Sequence, residues 1–315
     1  MEHRHVGRSG LRVSRLALGT MTWGRDTDEH EAHDQLVAFV EAGGSLVDTA
    51  PVYGDGRSEP LLGSLLGKVV SREDVVVATK AGIGARDGER VVDTSRGALL
   101  DTLDESLARL GTDHVDLWQV HVWSDETPLE ETLAALDHAV SSGRARYVGV
   151  SNYRGWQTAR AATWQAAWPG RAPIVATQVE YSLLERGVES EVLPAAAASG
   201  MGVLAWSPLG RGVLTGKYRH GTPADSRGAS PHLAAFVDSY LDVGSRRVVD
   251  AVATAAEGLG CSPLEVALAW VRDREGVTAA IVGARTGAQL LASLAAEDIV
   301  LPVEIREALD DVSGQ

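Results

Sequence analysis

Four side chains able to exchange or steer protons stand where short apolar runs of this chain stop. Asp48 and Tyr53 lie in LVDTAPVYGDG (46–56), Lys80 closes VVVATK (75–80), and His121 closes VDLWQVH (115–121). A carboxylate, a phenol, an amine and an imidazole gathered at one rim have the makings of acid–base chemistry. Taken singly, Asp48 reads as a loop-capping acid, Tyr53 as a half-buried packing residue and His121 as a satisfied core histidine. Lys80 resists such a reading. An ammonium that ends an apolar run needs a partner to offset its desolvation, and Asp48 is the natural candidate. Lysine is also scarce: of 29 basic residues, only Lys68, Lys80 and Lys217 are lysine.

The elements that must bring these groups together are strands. Apolar, β-prone runs occur at 16–20, 46–50, 75–80, 115–121, 145–152, 174–181, 202–209 and 278–284, after a first hairpin at about 2–6 and 11–14 joined by GRSG. Their unbroken apolar character suits parallel strands buried on both faces. The intervals read as helices. Leu99, Leu103, Leu107 and Leu110 form one stripe before Gly111, and Ala32, Leu36 and Phe39 form another before Gly43. Ser262, Pro263 and Glu265 spell a capping box with proline in the first turn. The last interval is longer, with a polar loop near 217–232 and two helical patterns. Eight βα units closing on themselves make a (β/α)8 TIM barrel, an α/β fold, with the hairpin over one end and a single domain spanning 1–315. An open doubly wound sheet would want G-x-G-x-x-G after its first strand, which LALGTMTWG lacks. AGIGARDG and GRGVLTGK match neither that pattern nor a P-loop and read as turns. In a barrel the C-terminal strand ends share one pocket, and neighbouring strands lie about 4.8 Å apart. Asp48, Tyr53, Lys80 and His121 are therefore expected within hydrogen-bond reach of one another.

Composition narrows the function class. Net charge is −14, the pI is near 5.1 and no basic stripe is present, which argues against nucleic-acid binding through phosphates. No apolar run approaches membrane-spanning length, MEHRHVGRSG lacks a signal peptide's apolar centre, and Cys261 is the lone cysteine. A cytoplasmic protein without internal disulfides is the expectation. The sequence does not set the assembly state.

The segments LVDTAPVYGDGRSE, VVVATK, LGTDHVDLWQVH, YVGVSNY, TQVEYSLLER, AWSPLGRGVLTGKY and IVGARTGAQL together resemble the aldo-keto reductases. Closest is the branch with bacterial reductases and potassium-channel β subunits, and the resemblance spans roughly residues 5–310. It implies reduction of aldehydes and ketones to alcohols by NADPH, with Asp48, Tyr53, Lys80 and His121 as the catalytic tetrad. Tyr53 would be the general acid, its pKa lowered by Lys80. Asp48 would hold Lys80 charged, and His121 would fix the carbonyl oxygen.

The resemblance also implies the cofactor contacts. Trp206 would lie against the nicotinamide, and Ser151, Asn152 and Gln178 would hold its carboxamide. Gly19, Thr20 and Met21 would lie near the nicotinamide ribose. Ser207, Leu209, Gly210 and Arg211 would meet the pyrophosphate, with Lys217 closing over it. Gly283, Arg285, Gln289 and Ser293 would surround the adenosine 2′-phosphate; a single arginine there leaves NADH use open. Trp23 and Trp123 would wall the substrate pocket, while Trp156 reads as loop packing. The chain stops soon after EIREALDDVSGQ, so a more open pocket than in many relatives is expected. Two other readings exist: an NADPH-binding redox sensor regulating a partner, and a Schiff-base aldolase with Lys80 as nucleophile.

Overall fold

The computed structural model describes residues 1–86, 88–224, 226–230 and 233–314. Within the polar loop expected near 217–232, positions 225, 231 and 232 lie outside the described residues. The opening hairpin pairs β1 (His3–His5) with β2 (Arg12–Ser14) in antiparallel register. Eight parallel strands then close a barrel: β3 (Leu16–Gly19), β4 (Leu46–Asp48), β5 (Val76–Ala81), β8 (Val115–Val120), β9 (Ala145–Ser151), β10 (Ile174–Glu180), β11 (Gly202–Trp206) and β12 (Val277–Gly283). The fold is the (β/α)8 barrel that the apolar runs imply.

The barrel interior is filled by Ala17, Leu46, Ala78, Leu117, Ala176, Leu204 and Ala279, and the hairpin adds Val6, Leu11 and Val13 to the same cluster. The hairpin thus plugs the N-terminal end and leaves the C-terminal mouth for chemistry. Outside lie α1 (Glu29–Glu41), α2 (Ser58–Leu65), α3 (Arg96–Leu110), α4 (Leu129–Ser141), α5 (Gly155–Ala166), α6 (Val188–Ser199), the short α7 (Ala234–Asp238), α8 (Val243–Leu259), α9 (Pro263–Arg272), α10 (Gly287–Leu294) and α11 (Val303–Ser313). The leucine stripe of α3 is buried, and Gly111 ends that helix at φ 66°, where a side chain would be strained. The capping box forms at Ser262 and Glu265. Among the described residues no helix is long and apolar enough to cross a membrane.

Two features differ from the sequence reading. Several strands stop early, because Asn152 and Ser207 adopt φ 57° and 51° and turn the chain into the mouth. A second hairpin, β6 (Ile83–Arg86) with β7 (Glu89–Val92), rises after β5 where only a glycine-rich loop was expected. Its sequence does carry a turn signal, the pair Asp87-Gly88.

Candidate active site

Adjacent strands deliver the tetrad. Asp48 ends β4, beside Gly19 of β3 and Ala78 of β5. Its carbonyl accepts both the backbone N–H (3.0 Å) and the hydroxyl (3.1 Å) of Thr20, and the Ser58 hydroxyl in turn donates to the Thr20 carbonyl at 2.9 Å. Tyr53 begins a tight turn whose next residue, Gly54, has φ 57° and donates to the Met21 carbonyl at 3.1 Å. A Cβ at Gly54 would lie 2.0 Å from the Trp23 carbonyl oxygen, so only glycine permits this turn and the position of Tyr53. Lys80 sits late in β5. Its outward neighbour Thr79 donates to the buried Glu59 carboxylate at 2.6 Å, which Arg109 neutralises at 2.8 Å.

Lys80 is the hub. Its fully buried Nζ lies 2.7 Å from Asp48 Oδ2, 3.0 Å from the Thr49 carbonyl and 3.1 Å from Tyr53 Oη, which gives each ammonium proton a partner. Gln178 donates to the other Asp48 oxygen at 2.8 Å. The Tyr53 and His121 rings meet edge to face, 6.0 Å between centroids. Around them Asn152 donates to the His121 carbonyl (3.0 Å) and to Ser151 Oγ (3.1 Å), Ser151 donates to the Gln178 carbonyl (2.9 Å), and Trp206 donates to Asn152 Oδ1 (3.0 Å).

Burial alone would push the Lys80 ammonium down, but Asp48 and Tyr53 hold its pKa above the ordinary value. A lysine kept charged is a poor Schiff-base nucleophile, which counts against the aldolase reading. Tyr53 departs from the sequence expectation. Burial raises its pKa and the Asp48 charge adds to that, so Lys80 offsets the rise without reversing it. The phenol therefore stays protonated at neutral pH. His121 is pushed down to about 2 by burial and by the charges of Lys80 and Arg90.

That depression fixes a sign. An unfolded imidazole binds a proton below pH 6.5 while the folded one refuses it, so His121 makes stability fall as pH drops. The loss is about 2 kcal/mol between pH 7 and pH 5. Urea unfolding at the two pH values should show His121→Phe losing less on acidification than wild type by that amount. Equal losses would mean that the imidazole protonates in the fold.

The family model described as Aldo/keto reductase family matches residues 15–313. The chain belongs to the aldo/keto reductase family. An uncharacterized oxidoreductase of Bacillus subtilis, YrpG, is 39% identical over 99% of this chain and 96% of its own length. A probable voltage-gated potassium channel subunit beta of Oryza sativa subsp. japonica is 36% identical, covering 100% of this chain and 96% of the relative. An L-glyceraldehyde 3-phosphate reductase of Escherichia coli is 33% identical over 92% of this chain and 86% of its own. This aldo/keto reductase is thus an oxidoreductase of a family that acts on small carbonyl compounds with nicotinamide cofactors.

The remaining predicted positions of this aldo/keto reductase fall into two groups. Gly283 opens at the mouth, and a Cβ there would be 3.4 Å from Nη2 of Arg227. Arg285 lies near enough to Arg227 to lower its pKa, after burial as the larger cause. Its backbone N–H donates to Gln289 Oε1 at 3.0 Å. Lys217 Nζ lies 3.3 Å from where a Cβ on Gly212 would stand, inside the turn formed by Gly210–Thr215 after Ser207 and Leu209. Arg227 and Arg285 therefore stand near each other at the mouth of a chain whose net charge is −14, and Lys217 lies at the turn after β11. The sequence reading missed Arg227, which lies in the polar loop 56 positions before Gly283, and Arg90, which sits on the unexpected hairpin.

Other expectations require correction. Trp23 is 0% exposed and donates from Nε1 to Gln35 at 3.0 Å, so it packs the core and does not wall a pocket. Ser293 is buried, its hydroxyl donating to the Gln289 carbonyl of the same helix. The Arg211 guanidinium is held by Glu180 at 2.8 and 2.7 Å and donates to the Phe236 carbonyl, which leaves its backbone as the group able to meet a ligand. Trp123 makes edge contacts with Tyr153 (5.1 Å) and with Trp156 (5.3 Å). Trp156, at the start of α5, is half exposed and packs its ring against Trp123.

Proposed function

We propose that this chain reduces aldehydes or ketones to alcohols with NADPH, Tyr53 giving the proton. The single observation that supports this reading most is the buried Lys80 ammonium, 2.7 Å from Asp48 and 3.1 Å from Tyr53 Oη. When bound, the nicotinamide supplies a hydride to the carbonyl carbon. The protein's task is the oxygen. His121, neutral, donates a hydrogen bond to it and holds the carbonyl for attack. Tyr53 transfers its proton to the nascent alkoxide, and Lys80 stabilises the phenolate left behind at the moment it forms. Asp48 keeps Lys80 charged, and Gln178 keeps Asp48 oriented.

The residues fit such a cofactor. Trp206 offers an aromatic face beside the tetrad, with Ser151, Asn152 and Gln178 as amide and hydroxyl partners for a carboxamide. Gly19, Thr20 and Met21, at and just after the end of β3, would lie near the cofactor's ribose. The cations Arg227, Arg285 and Lys217 suit phosphate oxygens, with the backbone of Ser207, Leu209, Gly210 and Arg211 beside them. Titration by tryptophan fluorescence should give quenching by NADPH. Turnover should follow on a panel of nitrobenzaldehydes, methylglyoxal and a phosphorylated aldehyde such as that named for the Escherichia coli relative. Quenching without turnover on any compound would overturn the reductase reading in favour of a redox-sensing regulatory subunit.

Arg285→Ala and Arg227→Ala should each raise the Kd for NADPH by about tenfold or more, the scale of a lost charge-assisted hydrogen bond, and change that for NADH far less. Equal weakening of both dinucleotides would mean that neither guanidinium reads the 2′-phosphate.

A further inference from the structure

Gln119 stands beside Lys80 on the neighbouring strand, two residues before His121, and none of the chemistry above uses it. It is paired in register with Lys80 on one side and with Gly149 on the other, and it is 0% exposed. A Cβ on Gly149 would come within 3.1 Å of its Cγ, so the glutamine side chain lies across the glycine inside the barrel. Both its Oε1 and its Nε2 are buried without a hydrogen-bond partner among the described residues. Lys80 cannot serve it, because all three ammonium protons go to Asp48, Thr49 and Tyr53. An amide orphaned at both ends in a barrel core needs an explanation. His121 Nδ1 is another such atom. His121 stands two residues on in the same chain, its Cα about 7 Å along the strand, so the two side chains leave on the same side.

We infer that one buried water joins them, accepting the Gln119 Nε2–H and donating to His121 Nδ1, and that Gln119 thereby favours the tautomer that presents Nε2–H to the carbonyl oxygen. The inference rests on the reduction reading. Without the water, the imidazole could place its proton on Nδ1, and Nε2 would then turn a lone pair on the substrate oxygen. A water that already accepts the Gln119 Nε2–H is polarised toward donating, so it favours Nδ1 as the acceptor and the ring proton on Nε2. Gln119 Oε1 remains under-satisfied, which costs less for a carbonyl-type oxygen than for an N–H. Gln119 is a positioning residue, acting through His121.

The test uses the cofactor-loaded protein with 15N-labelled histidine. Long-range proton–nitrogen spectra should show His121 predominantly as the Nε2–H tautomer in wild type, with the Nδ1–H form rising in Gln119→Leu. The leucine variant should lose about tenfold in kcat, the scale of one hydrogen bond at a polarising group, with an unchanged Kd for the cofactor. An Nε2–H population unchanged in Gln119→Leu overturns the inference. Should leucine unfold the barrel, a high-resolution crystal structure of wild type decides: water density within hydrogen-bond distance of both Gln119 Nε2 and His121 Nδ1 supports it, and a dry gap removes it. The tautomer readout needs no turnover, so an inactive protein would sink the reduction reading and leave this test standing.

Discussion

Tyr53→Phe lowers kcat for carbonyl reduction by about 10² to 10⁴, the range for loss of a general acid, and leaves fold and cofactor affinity intact. The geometry explains why the loss is selective. Phenylalanine keeps the ring that meets His121 edge to face and that lies 4.8 Å from Lys80 Nζ. The ammonium keeps Asp48 and the Thr49 carbonyl, so no buried charge is left alone. Only the hydroxyl goes, and with it the proton that the alkoxide needs. Because burial holds the phenol above its ordinary pKa of 10, the wild-type acid is protonated through neutral pH. The reductive rate should therefore have no tyrosine limb below pH 10. Stopped-flow single turnovers that separate hydride transfer from product release give the measurement. A variant that turns over at the wild-type rate would remove Tyr53 from the reaction.

Much of this site was legible because a barrel converts strand ends into neighbours. Asp48, Lys80 and His121 each terminate an apolar run, so strand order alone places them side by side. Tyr53 follows Asp48 closely enough to share its loop. What escaped the sequence depends on how loops fold back. Arg227 reaches Gly283 across 56 positions of sequence, and no spacing rule encodes that approach. Trp23 carried the right type and position for a pocket wall, yet Gln35 on α1 offers its indole N–H a partner in the core and the ring turns inward. The hairpin β6–β7 was obscured by glycines that read as loop, although the sequence pair Asp87-Gly88 is of turn-forming type. The acidity of Tyr53 was misjudged for a different reason. A neighbouring cation can be read from strand order, whereas the desolvation that outweighs it is set by the whole packed mouth.

Lys80→Met should destabilise the barrel by about 3–5 kcal/mol, the cost of stranding a buried carboxylate. Asp48 is buried, and its remaining partner at the carboxylate is Gln178, which donates one hydrogen bond to a charge that lost its cation. Adding Asp48→Asn removes that charge while the amide oxygen still accepts from Gln178. The double variant should regain most of the lost stability, since replacing both members of a buried ion pair is often close to neutral. Its turnover should not recover, because nothing then stabilises the phenolate of Tyr53. Equilibrium urea unfolding and kcat measured on the wild type, both single variants and the double variant close the cycle. Stability that returns without activity identifies Lys80 as a catalytic cation that Asp48 makes tolerable. A double variant as unstable as Lys80→Met would instead place the cost in lost packing of the lysine stem, and the pairing with Asp48 would then explain neither its burial nor its charge.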